Sequence, residues 1–145
     1  MPDTLDMPLN FGIGQPVTRS ENPRHLTGGG EYTDDSNVDG QAYARYVRSQ
    51  MAHGILKSVD ISAASAMPGV LAIYTGADLR ADGIGNIPSG LPLKSRDGSP
   101  YIVPPRTGLA VDRVRHVGEP IAIVIAETAV QAQDAAEAVI ADIDM

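Results

Sequence analysis

Residues 111–143 read VDRVRHVGEPIAIVIAETAVQAQDAAEAVIADI, and this stretch sets the fold class. Val111 to Val117 predicts a strand. Gly118-Glu119-Pro120 predicts a tight turn, because Gly118 tolerates a positive φ and Pro120 keeps Glu119 extended. Ile121 to Ala126 is apolar throughout, which predicts a strand buried on both faces. At Thr128 the period becomes helical. Thr128 is the N-cap candidate; Ala132, Ala135, Ala136 and Val139 form one apolar stripe, with Gln131, Asp134 and Glu137 toward water. Ile140 to Ile143 closes the stretch as a further strand.

Working outward, Ala42 to Arg48 reads as a strand with Tyr43, Arg45 and Val47 on one face and Ala44, Tyr46 and Arg48 on the other. Ile55 to Ile61 alternates likewise, Ile55, Lys57, Val59 and Ile61 against Leu56, Ser58 and Asp60. Ser62 to Met67 predicts a short Ala-rich helix capped by Ser62 and stopped by Pro68-Gly69. Val70 to Tyr74 predicts a strand and Gly76 to Leu79 one helical turn. Residues 80–108 carry Gly and Pro without periodicity, and a loop of that length inside a compact domain points to function or mobility. Residues 1–11 read as a mobile arm. Residues 12–40 read as an irregular strap, with Gly28-Gly29-Gly30 marking a turn or a close backbone approach. The order ββα-β-loop-ββα-β, with no repeats, gives an α+β class.

Composition narrows the function. The 145 residues carry a net charge of −7 and a sequence pI near 4.7, which argues against nucleic-acid and anionic-membrane partners. There is no Cys, so this chain supplies no disulfide, iron–sulfur ligand or catalytic thiolate. Met1 to Asn10 lacks the basic start and apolar run of a signal peptide, giving a cytoplasmic expectation.

No catalytic constellation emerges from the residues. His25, His53 and His116 have no mutual metal-ligand spacing. Asp35 to Gly40 matches half of a calcium loop, but Tyr46 stands where a bidentate Glu is needed. Gly12-Ile13-Gly14 lacks the third Gly and the flanking elements of a dinucleotide fingerprint. Asp34 and Asp35 would point to opposite faces if extended. Glu119, in a turn, is expected to be solvated, and its replacement by Gln to alter the fold little.

Four ordered stretches resemble the start of the molybdopterin-binding subunit of molybdenum hydroxylases, the xanthine dehydrogenase, aldehyde oxidase and carbon monoxide dehydrogenase family. They are Gly12-Ile13-Gly14-Gln15-Pro16-Val17 through Arg24-His25-Leu26-Thr27-Gly28 to Tyr32-Thr33-Asp34-Asp35; Tyr46-Val47-Arg48-Ser49 with Ala52-His53 and Val59-Asp60; Met67-Pro68-Gly69-Val70-Leu71-Ala72 with Thr75-Gly76-Ala77-Asp78-Leu79; and Val114-Arg115-His116-Val117-Gly118-Glu119-Pro120-Ile121-Ala122 with Ala126-Glu127-Thr128 and Asp134-Ala135-Ala136-Glu137. Gln50-Met51 departs from the family's frequent Pro-His pair after Arg-Ser. The loop 80–108 has no residue-level match.

The resemblance implies an α/β hammerhead over 12–145, strap included: a mixed sheet, one long helix, one short helix and a long Pro/Gly-rich loop. It implies a non-catalytic domain or split subunit of a molybdenum-dependent oxidoreductase. The molybdenum–pterin cofactor, the catalytic glutamate and the iron–sulfur clusters would lie in other domains, with no cofactor held by this chain. The implied partners are the remaining molybdopterin-binding domains and iron–sulfur subunits, a flavin subunit being left open. By that analogy the loop residues Ile84, Ile87, Leu91, Leu93, Tyr101 and Ile102 are candidates for a substrate entrance. Arg24, Tyr32, Asp35, Arg48, Gly118 and Glu119 are candidates for a domain interface. The competing reading is a stand-alone interaction module that keeps the fold for another ligand.

Overall fold

The computed structural model describes residues 18–91 and 93–145; the expected arm 1–11, the start of the strap at Gly12 to Val17, and Pro92 lie outside the described residues. The chain divides into two units, one ending at Asp39 and the other spanning Gly40–Met145.

In the first unit, α1 (Asn22–Leu26) begins with Pro in its first turn, where the missing N–H is not needed. Gly28, at φ 75°, carries the chain out of it. The His25 ring stacks on Tyr32 with centroids 5.1 Å apart. A Cβ at Gly30 would lie 2.0 Å from His25 Nδ1, so the glycine triplet serves both a turn and a close approach. A 3₁₀ turn at Thr33–Asp35 follows, and Asp35 Oδ2 accepts from the Tyr32 N–H at 2.8 Å. The strap thus contains local helical turns where the sequence predicts irregular chain.

The second unit contains β1 (Tyr43–Arg48), β2 (Gly54–Asp60), α2 (Ser62–Ser65), β3 (Val70–Thr75), α3 (Gly76–Ala81), β4 (Arg113–Val114), β5 (Pro120–Ala126), α4 (Ala129–Glu137) and β6 (Ile140–Asp144). The α+β class stands. The expected single mixed sheet is replaced by two three-stranded sheets, β1-β5-β3 and β4-β2-β6, in which every pairing is antiparallel. β5 runs opposite to both neighbours, so no crossover connection between parallel strands is required.

Two cores follow from this division. Val124 of β5 packs with Ala64 of α2 and with Ala135, Ala136 and Val139, while Ile121 packs with Leu56, Ala110 and Val114. The alanine stripe lets α4 approach the sheet closely. Complete burial of Val124 contributes about 1.5–3 kcal/mol. Thr128 caps α4 as expected, its Oγ1 accepting from Gln131 N–H at 3.2 Å.

Three local expectations are corrected. Ser62 does not cap α2. Asp60 Oδ1 accepts from both the N–H of Ser62 at 2.9 Å and its hydroxyl at 2.6 Å, so the carboxylate takes the acceptor role. That pair of hydrogen bonds holds Asp60 below the ordinary carboxylate pKa, the side-chain bond being the larger cause. In β2 a register shift between Leu56 and Ser58 breaks the simple alternation, so Leu56 and Val59 reach the same core. Finally, the strand expected over 111–117 is only Arg113–Val114. One further bond to β2 precedes it, Asp112 O accepting from Leu56 N–H at 3.0 Å, and before that the chain leaves β2, the Ala110 N–H donating to Pro120 O at 2.7 Å. The chain after it turns.

Candidate functional site: a braced turn beside the long loop

The turn at Arg115 to Pro120 carries a dense polar network. Gly118, at φ 85°, lets the chain reverse, and the Glu119 N–H donates to His116 O at 3.2 Å. β1 braces it from outside. The Gly118 N–H donates to Ser49 O at 2.7 Å, and the Ser49 N–H donates to Glu119 O at 2.9 Å. Arg48 Nη1 adds a bond to Gly118 O at 2.9 Å. Ser49 is 3% exposed, and its Oγ donates to Met51 O and accepts from Met51 N–H.

Glu119 differs from its expected role. Its side chain is only 13% exposed, and Oε1 lies 3.4 Å from Arg115 Nη1 while Oε2 accepts the Arg115 N–H. Arg115 also reaches Asp112 Oδ1 at 3.3 Å. The carboxylate is therefore spent on closing the turn, not solvated. It is poorly placed for acid–base work, since both oxygens already have partners.

The structure brings together Arg48, Gly118 and Glu119 of the expected interface set. Arg24, Tyr32 and Asp35 belong to the first unit and make local contacts there; Arg24 Nε donates to Gly29 O at 2.6 Å. Ser49 and Arg115, which complete the turn, lie outside the site residues that the sequence suggests. The separation of four between Arg115 and Glu119 around a Gly-Glu-Pro turn is the signal that could have found one of them.

The loop shows a different construction. A bridge joins Lys94 and Pro100, and the Ser95 N–H donates to Ser99 O at 2.9 Å. Asp97 Oδ1 accepts from the hydroxyl of Ser99 at 2.7 Å and from its N–H at 3.0 Å, bonds that hold the carboxyl below its ordinary pKa. The Ile87 N–H donates to Arg106 O at 2.7 Å, tying the start of the loop to its end. Ile84, Ile87, Leu91, Leu93, Tyr101 and Ile102 are all exposed, Ile102 to 85%, and none joins either core cluster. The end of the loop and the braced turn face each other across a groove of about 470 Å³.

No three His, Cys, Asp or Glu side chains gather into a metal-holding group among the described residues. No helix among the described residues is long and apolar enough to cross a membrane.

Two small antiparallel sheets, a capped alanine-faced helix and a long insertion between α3 and β4 define an α/β hammerhead. Residues 27–144 match the family described as aldehyde oxidase and xanthine dehydrogenase, a/b hammerhead domain. The chain belongs to that family. It is 42% identical over 128 residues to the nicotine 6-hydroxylase large subunit of Paenarthrobacter nicotinovorans, covering 88% of this chain and 15% of that protein. It is 34% identical over 131 residues to the carbon monoxide dehydrogenase large chain of Afipia carboxidovorans, covering 90% of this chain and 15% of that one. The crystal structure of quinoline 2-oxidoreductase from Pseudomonas putida 86 superposes with a TM-score of 0.75 at 30% identity, over 88% of this chain and 16% of that one. The chain thus spans about 15% of the length of these curated relatives.

Proposed function

We propose that this chain serves as a non-catalytic hammerhead domain or split subunit of a molybdenum-dependent oxidoreductase, packing against cofactor-bearing domains and helping to shape the substrate entrance. The observation that carries this reading is a family match over nearly the whole chain that covers only about 15% of its relatives. In them most of the protein lies outside the matched region. The chain's own surface supports the reading. Six large apolar side chains of the loop are exposed, and a segment that had water as its final environment would not favour them. Arg24, Tyr32, Asp35, Arg48, Gly118 and Glu119 remain the interface set we propose, the last three already joined at the braced turn.

In this reading the molybdenum–pterin and iron–sulfur groups belong to partner domains, and the loop contributes shape and apolar surface to the path a substrate takes. The chain is a scaffold, so its effect on catalysis is through positioning. Affinity purification of the chain from its native host, followed by metal analysis of the recovered material, tests the proposal. Molybdenum in near-stoichiometric amount with larger co-purifying domains is expected. Recovery of the chain with partners that contain no molybdenum would favour the competing stand-alone interaction module.

A further inference from the structure

We infer that the groove between the loop's end and the braced turn binds a small carboxylate with an apolar body. The open groove offers about 470 Å³, a size suited to a small molecule. Ile87, Pro104, Pro105 and Pro120 give it apolar walls, and Arg106 and His116 give it polar edges. Proline rings and an isoleucine side chain offer apolar surface to a ligand's hydrocarbon part.

Charge bookkeeping selects an anion. Glu119 also lines the groove, but Arg115 engages both its oxygens, and Arg115 is shared further with Asp112. Arg106 has no ion-pair partner among the described residues. Of the two arginines that line the groove, Arg106 is therefore the one without an ion pair, within a chain whose net charge is −7. A planar guanidinium presents parallel donors that match a carboxylate. The site is also held in shape. The Ile87 N–H bond to Arg106 O fixes the loop side at 2.7 Å, and the Ser49 and Arg48 bonds fix the turn side. The inference deepens the substrate-entrance reading and rests on it for its biological meaning. Binding itself is measured on this chain alone, so the two can fail separately.

The test is an amide-resonance titration of the 145-residue chain with sodium benzoate at constant ionic strength, with benzamide as the neutral probe and sodium chloride as the ion control. Saturable shifts centred on Ile87, Arg106, Thr107 and His116 are expected. Benzamide and the Arg106→Gln variant should each weaken binding by about tenfold or more, with Arg106→Lys intermediate because it keeps charge and loses the fork. Unchanged resonance dispersion in the variants shows that the fold is retained; if Arg106→Gln unfolds, Arg106→Lys carries the comparison. Absence of saturation, equal binding of benzamide, or full affinity in a folded Arg106 variant overturns the inference. So does a hexaglutamate peptide that binds the same groove more tightly than benzoate, which would assign it to a protein partner.

Discussion

Residues 115–120 and residues 84–106 both depend on glycine, proline and charge, yet they are held in opposite ways. The turn is fixed by backbone bonds to Ser49, a guanidinium from Arg48 and a carboxylate whose two oxygens are both engaged. The loop has one bridge, a small Ser95–Ser99 reversal and one tie between its ends, and its large apolar side chains face outward. Within this chain the turn's interactions are complete. The loop's apolar surface has found no burial in either core, so whatever orders it fully must come from outside the two core clusters. A turn that is finished and a loop that is unfinished stand on opposite sides of one groove.

The largest effect is expected where the loop's far end is anchored. Gly76 opens α3 against Ala110, and a Cβ there would lie 2.1 Å from Ala110 O. Gly76→Ala must displace backbone, so a loss of about 3 kcal/mol or more is expected in urea unfolding. A wild-type midpoint would show that this contact yields easily and that the anchor is soft. The turn should respond next. Glu119→Ala removes an acceptor from a mostly buried position and should cost about 1–3 kcal/mol. Glu119→Gln retains a carbonyl acceptor and should cost less than about 1 kcal/mol. Equal losses for the two variants would show that the charge, not the hydrogen bond, braces the turn.

These positions show what sequence could and could not reveal. The alternation and caps of 120–144 were legible because burial, period and capping chemistry agree there: Thr128 caps and Ala132, Ala135, Ala136 and Val139 are buried. The division into two sheets was not legible, because β4 is two residues long and its pairing with β2 depends on distant chain. The bulge in β2 left no mark on the period of its sequence. Of the candidate site, Gly118 and Pro120 announced a turn, but nothing local announced that Ser49 and Arg48, some seventy residues earlier, would brace it. Arg106 and the two prolines before it were visible only as loop composition.

A smaller effect is expected at α3, from which the loop departs. Asp78 accepts from the hydroxyl and the N–H of Thr75, both at 2.7 Å, and these bonds, the side-chain one first, hold its carboxyl below the ordinary value. A depressed folded pKa gives stability that is present above the unfolded value and lost as pH falls through the folded one. Asp78→Asn should therefore flatten the acid limb of the stability profile slightly and leave it unchanged near neutrality in slope. An identical acid limb in the variant would show that the loop's starting point owes nothing to this carboxylate. The smallest effect is expected in the loop itself. The double variant Leu91→Ser, Leu93→Ser should change the isolated chain's stability by no more than about 0.5 kcal/mol per site, since both side chains are exposed. Unfolding of that variant would place the loop in the core and erase the contrast with the turn.

The contrast is tested most directly by amide hydrogen exchange, measured on the chain alone and on the assembly recovered with it by affinity purification. In the isolated chain, amides of 121–126 should exchange slowly and the unbonded amides of 84–103 quickly, because β5 is central to its sheet and the loop has few bonds. In the assembly, those loop amides should become protected by about tenfold or more while 121–126 change little. Equal exchange of 84–103 in both states would contradict the claim that this loop is completed by partner domains.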